Sequence, residues 1–168
     1  MTANGPQVDT HRRPSFLQGR VVADPTPPED AEAGACPAFG YLRGTRDRAL
    51  ALELRFRDGD SEWLPYSHLA GWRYNPSVGL LLKYTADLVT LVLIRGSNLD
   101  APVGSGGVNL TDQGLQRHRV LWVREMDEAE LRGVGDRGPT IDAIEVAEFE
   151  SQADLRVWLA THAPEFVR

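Results

Sequence analysis

The residues best suited to recognition chemistry cluster in the middle of the chain. Arg73 and Tyr74 sit in a run that also holds Trp63, Tyr66, Trp72 and Tyr84, with Arg55, Arg57 and Arg95 nearby in sequence. Aromatic faces stack on unpaired bases, and guanidinium groups neutralise phosphate, so this mixture could bind single-stranded nucleic acid. The same aromatic residues suit the faces and rims of β-sheets, which is the more economical reading of most of them.

Residues that break bonds are present but scattered. A zinc site needs four Cys or His ligands, or three with an open position. The chain has one cysteine, Cys36, and four histidines, His11, His68, His118 and His162, in no ligand spacing. Ser67 and His68 are neighbours, and on a strand their side chains would point to opposite faces. Gly133-Val-Gly-Asp-Arg-Gly138 spells a dinucleotide-type glycine pattern, but a helical turn precedes it and Pro139 follows, so it reads as a flexible loop. Asp127, Glu128 and Glu130 form the densest acidic cluster and suit a solvated helix face. Nothing assembles nucleophile, base and oxyanion donors, so the sequence leans away from an enzyme and implies no cofactor and no metal.

The elements that must position these residues are mainly strands. Leu50, Leu52, Leu54 and Phe56 alternate with Ala51, Glu53, Arg55 and Arg57, the period of a half-buried strand. Asp58-Gly59 predicts a tight type I′ hairpin turn into Ser61–Leu64, and Pro65 ends that strand or sits at an edge. Gly71–Tyr74, Leu80–Tyr84 and Val89–Ile94 follow, the last apolar on both faces and closed by Arg95-Gly96. Residues 100–109 read as a flexible loop, and Thr111 is placed to cap a short helix through Arg117. Arg119–Glu125 reads as a strand and Asp127–Arg132 as a helical turn ended by Gly133. Ile141–Phe149 is taken as a strand on Ile144 and Val146, although the spacing of Ile141, Ile144, Glu145 and Glu148 also suits a helix. Ser151 and Asp154 start a last helix with Leu155, Trp158 and Leu159 on one face and Pro164 at its end. The fold expected is α+β: a small antiparallel β-meander or partly closed barrel with a C-terminal helix.

Composition bounds the rest. The chain has 168 residues, 42% apolar and 25% charged, with a formal net charge of −6. Those values suit one ordinary globular domain. Six of the 11 prolines fall before residue 39, and Asp24–Gly34 is acidic with almost no large apolar side chain. Residues 1–38 therefore read as a disordered tail and residues 39–168 as a single domain. Residues 39–99 carry 8 basic and 6 acidic groups, whereas residues 100–168 carry 7 and 13. The basic residues are 17 Arg and one Lys, Lys83, a bias expected of a GC-rich genome. A lone cysteine and the lack of an apolar leader point to the cytoplasm, and no apolar run approaches the roughly 20 residues of a membrane span.

Two resemblances follow from particular residues. Leu52–Gly59, Leu64-Pro-Tyr-Ser-His-Leu69, Asn75–Leu80, Gly96–Leu99 and His118–Glu125 together resemble a group of uncharacterised bacterial proteins over about residues 50–125. That resemblance implies a shared small fold and brings no activity with it. Ile94-Arg-Gly-Ser-Asn-Leu99 is similar to the second signature of Sm and Sm-like RNA-binding proteins. This second resemblance implies an RNA pocket on a small β-barrel in a ring-shaped homo-oligomer, with Arg95, Gly96 and Asn98 at the matching positions. The chain departs from that family where its first signature's Asn should stand, at Gly79-Leu80.

The expectation is a non-enzymatic binding or protein-interaction module, its protein partner unspecified. RNA binding on an Sm-like barrel is the alternative. Arg95, Asn98, Arg73 and Tyr74 are the candidate binding residues.

Overall fold

The computed structural model describes residues 33–168. The tail expected over residues 1–38 lies outside the described residues up to residue 32. Beyond that the expectation is corrected. Ala33–Ala35 forms a first strand, β1, paired with β2 (Phe39–Leu42), and Ala38 is fully buried. Small side chains make this possible, because the Tyr41 ring lies where a Cβ on Gly34 would stand.

Nine strands form two sheets. The first contains β1, β2, β3 (Ala51–Arg55), β4 (Ser61–Pro65) and β8 (Val120–Arg124), in the order β1-β2-β8-β3-β4. The second contains β5 (Leu69–Asn75), β6 (Gly79–Thr85), β7 (Val89–Ser97) and β9 (Thr140–Phe149), in the order β5-β6-β7-β9. Every pairing is antiparallel except β3 with β8. The α+β class holds, and Ile141–Phe149 is the expected strand. The C-terminal helix and the antiparallel meander are also present, the meander shared between two sheets that do not close into a barrel. Five strands do lie between residues 49 and 96, but the chain leaves the first sheet after β4. Pro65 stands opposite Ala51 on the edge strand, where its missing N–H costs the β3 ladder nothing, and the Tyr66 amide makes the last bond of that ladder, to the Leu50 carbonyl at 2.9 Å. The Tyr66 side chain then turns inward to donate from its hydroxyl to the Val120 carbonyl at 2.9 Å. The 3-10 turn Tyr66–His68 then starts a separate sheet, whose meander is β5-β6-β7.

Alternation on β6 and β7 explains the layering. One face presents Leu80, Leu82, Val92 and Ile94 to Phe39, Leu52, Leu54 and Val123 of the first sheet. The opposite face presents Leu81, Leu91 and Leu93 to Leu155, Leu159 and Ala163 of the last helix and to Phe166 beyond it. That helix, α2 (Gln152–His162), begins as expected, with the Ser151 hydroxyl accepting from the Asp154 amide at 3.1 Å. It ends at Ala163 before the 3-10 turn Pro164–Phe166. Each fully buried leucine in these layers contributes roughly 1.5–3 kcal/mol.

Several local expectations change for steric reasons. The hairpin turn is not type I′: only Gly59 has positive φ (98°), and its amide closes on the Phe56 carbonyl at 3.1 Å. This is the longer turn with one left-handed glycine after it. Leu50 precedes β3 and is 89% exposed, while Ala49 is buried. Residues 110–115 form one wide π-type turn, capped by the Asn109 side chain rather than by Thr111. The Asn109 carbonyl and the Val120 side chain crowd the space a Cβ on Gly114 would need. Val103 and Val108 pair across the 100–109 loop. The first helix, α1 (Glu128–Val134), is capped by Asp127 and Glu130 reciprocally and runs through Gly133 to end at Gly135 (φ 53°). Strand β7 continues past Arg95-Gly96 to Ser97 through a register shift.

Two substitutions test this layering in urea unfolding. Leu93→Ala should destabilise by about 2–5 kcal/mol, because Leu93 is fully buried beneath α2. Gly96→Ala should also lower the midpoint, since its Cβ would fall 2.0 Å from the Thr140 carbonyl oxygen.

Candidate functional site

Helix α2 covers β6 and β7 but leaves the β5 side of the sheet open. A cleft of about 690 Å³ remains between β5, β6, α2 and the C-terminal turn. That size falls in the range of about 300–1,000 Å³ usual for small-ligand sites. Register sets its walls: Arg73 stands opposite Leu81, while Gly71 stands opposite Lys83, which in turn faces Leu91. On α2, Gln152, Leu155, Arg156 and Leu159 recur at helical spacing along one side and close the other wall. Leu81, Leu91, Leu155, Leu159 and Phe166 form an apolar floor.

The charge of this cleft opposes that of the chain. Arg73, Lys83, Arg156 and Arg168 line it, and no Asp or Glu side chain does. Asp154 and Glu165 lie nearby in sequence but outside the lining. Among the described residues, neither Lys83 nor Arg156 is ion-paired. Arg73 spends part of its guanidinium on the Phe166 carbonyl at 2.7 Å, tying the C-terminal turn to the edge strand. Gly71 has no atom within 4 Å of the position its Cβ would take, so its side of the cleft is open.

The four residues singled out from sequence are separated. Arg73 is in the cleft. Tyr74, the next residue, faces the other side of the sheet, and its hydroxyl donates to Asp100 Oδ1 at 2.9 Å. Arg95 lies on the α2 side, where it pairs with Glu145 at 2.8 Å and donates to the His162 carbonyl. It thereby satisfies a carbonyl at the helix C-terminus. Asn98 adopts φ 55° just beyond β7 and donates to the Gly138 carbonyl at 3.3 Å. Lys83 and Arg156 were missed. The signals were present: Lys83 is the one lysine among 17 arginines, and Arg156 shares the spacing of Leu155 and Leu159.

Other polar groups are engaged within the fold. Arg57 donates to the Met126 and Asp142 carbonyls, and its own amide donates to Glu125. Arg124 clasps Glu130 and the Pro37 carbonyl, and its guanidinium holds the Glu130 carboxyl below the usual range. On the outer face of the first sheet, Arg55 stacks 4.5 Å over Trp122 and pairs with the buried Glu53, and Trp63 is 63% exposed. His118 stacks on Tyr66, and His162 on Trp158. Ser67 and His68 are both exposed at their turn. Burial pushes the Cys36 thiol and the Tyr66 and Tyr84 phenols upward, and the Tyr84 hydroxyl has no hydrogen-bond partner among the described residues. Among the described residues, no three His, Cys, Asp or Glu side chains are placed to share a metal ion, and no helix is long and apolar enough to cross a membrane.

No protein-family model, curated protein or solved structure matches the chain.

Burial, the hydrogen bond to Asp100 and the charge of that carboxylate push the Tyr74 phenol up to about 12. A raised phenol pKa stabilises the fold below the ordinary value near 10, and this contribution is lost as pH rises through about 12. Asp100→Asn should bring the Tyr74 titration down towards its ordinary value, as read from the ring carbon shift of Tyr74 in an NMR pH series.

Proposed function

We propose that the protein is a non-catalytic binding module that takes its ligand in the cleft between β5–β6 and α2. One observation carries this reading: the cleft combines four cationic side chains and an apolar floor with no carboxylate, imidazole, thiol or hydroxyl side chain except those outside its lining. Charge and shape are available to hold a ligand. Lys83 is the one lining side chain that could relay a proton or attack a bond, and no carboxylate, imidazole or hydroxyl side chain in the lining stands by to activate it.

The RNA alternative draws less support from the geometry. Arg95 and Asn98 each have a partner inside the chain, and they lie apart from the exposed Trp63 in the other sheet. Its remaining support is that face of the first sheet, where Trp63 is solvent-exposed and Arg55 covers Trp122.

Amide correlation spectra of the full chain, titrated with acidic, neutral and basic fragments and with a short oligouridine, separate the two. Perturbations should gather at Gly71, Lys83, Gln152 and Leu155 and disappear in Gly71→Leu, whose side chain would occupy the open space. Fragment shifts gathering around Trp63 and Trp122 instead would overturn the assignment of the cleft. Salt-sensitive oligouridine shifts at Arg95–Asn98 would favour the RNA alternative.

A further inference from the structure

We infer that the ligand of the cleft is a small amphiphilic anion, a carboxylate or phosphate head on an apolar body, with the head held between Lys83 and Arg156. The inference rests on the cleft being the binding site and names the chemistry it selects.

The cations of the cleft are not equivalent. Arg73 already holds the Phe166 carbonyl, so it serves first as an anchor for the C-terminal wall. Lys83 and Arg156 have no ion-pair partner among the described residues. Both line the cleft from facing walls, Lys83 from β6 and Arg156 from α2. Each has an apolar residue of the floor beside it: Leu91 stands opposite Lys83 in the sheet, and Leu155 precedes Arg156 on α2. Asp154 on the same turn bonds the Ser151 cap and does not line the cleft.

The half-buried Lys83 and the exposed Arg156 line one cleft with no Asp or Glu in its lining, so like charges face each other there, and an anion seated between them relieves that repulsion. This is charge complementarity of a local kind, because the chain as a whole carries −6. A purely inorganic anion would leave the rest of the cleft unused. From the head site the floor continues through Leu81 and Leu159 to Phe166, with the half-exposed Val167 at the mouth. Water over that surface is released when an apolar body covers it. A cationic amphiphile would cover the same surface but meet Lys83 and Arg156 unfavourably, so the sign of the head decides the selectivity.

The test uses the full chain and four probes below their micelle-forming concentrations: dodecanoate, dodecyl phosphate, dodecyltrimethylammonium and acetate. Binding is followed by calorimetry and by the amides of Gly71, Lys83 and Leu155. Dodecanoate or dodecyl phosphate should bind one per chain, and whichever binds more tightly identifies the head. Dodecyltrimethylammonium and acetate should not saturate the site. Arg156→Gln, an exposed change that leaves the core intact, should weaken the anionic amphiphile roughly 10- to 100-fold, as expected for losing a charge-assisted hydrogen bond. Lys83→Gln should act in the same direction.

Equal binding of the anionic and cationic amphiphiles, or acetate binding as well as dodecanoate, would overturn the inference and leave the cleft as the site. So would fragments of other charge shifting the cleft amides while neither anionic amphiphile does. If the anionic amphiphiles bind and Gly71→Leu does not alter them, or if no probe or fragment reaches the cleft amides, the cleft assignment itself fails and the inference with it.

Discussion

Strands β6 and β7 are apolar on both faces, and a strand of that kind needs a layer on each side. Leu80, Leu82, Val92 and Ile94 are covered by the first sheet, and Leu81, Leu91 and Leu93 by α2 and Phe166. Alternate side chains of a strand point to opposite faces, so neither layer can substitute for the other. Loss of either would expose a row of leucines and isoleucines, at roughly 1.5–3 kcal/mol each. The cleft is a by-product of the same constraint. An eleven-residue helix lying over the two central strands cannot also cover the edge strand β5. Ala70 and Gly71 put no bulk into the space that is left.

How the C-terminal segment stays in place is a matter of two arginines. Arg95 reaches the carbonyl of His162 at the end of α2, and Arg73 reaches that of Phe166 in the turn beyond. Both come from the second sheet, and both satisfy carbonyls that would otherwise lack a partner at a helix end. The Glu145 carboxylate on β9 completes the Arg95 site and fixes its direction. An arginine at a strand end, as Arg95 is, is also what the Sm-like resemblance would use for an RNA pocket. In this fold the guanidinium forks face backbone carbonyls of the same chain.

Much of the fold could be read from the sequence where one element contains its own signal. The two-sided burial of Val89–Ile94, the hairpin after Leu54 and the Ser151 cap each depend on a few adjacent residues. What could not be read depends on residues far apart. The division into two sheets turns on Tyr66 finding the Val120 carbonyl 54 positions away. The parallel pairing of β3 with β8 joins segments still farther apart. Strand β1 was hidden because Ala-Gly-Ala carries no strand pattern, and its order comes from backbone bonds to β2 and from the Tyr41 ring filling the space above Gly34. The cleft was illegible for the same reason: Gly71, Lys83 and Arg156 come to line one space only once α2 lies on the sheet.

That assembly also explains why local charge, not net charge, is the informative quantity. Residues 100–168 hold 13 acidic and 7 basic groups, yet the side of α2 that meets the sheet offers Arg156 and Gln152 rather than a carboxylate. Many of the acidic residues of this region are elsewhere: Glu125 binds backbone amides, Glu130 clasps Arg124, Glu145 holds Arg95, and Asp154 completes the helix cap. Each carboxylate so engaged is one less to neutralise Lys83 and Arg156 at close range, and exposed charges farther away than a Debye length of about 8–10 Å are largely screened. The positive character of the cleft therefore survives within an acidic protein because its counter-charges are committed to structural bonds elsewhere in the fold.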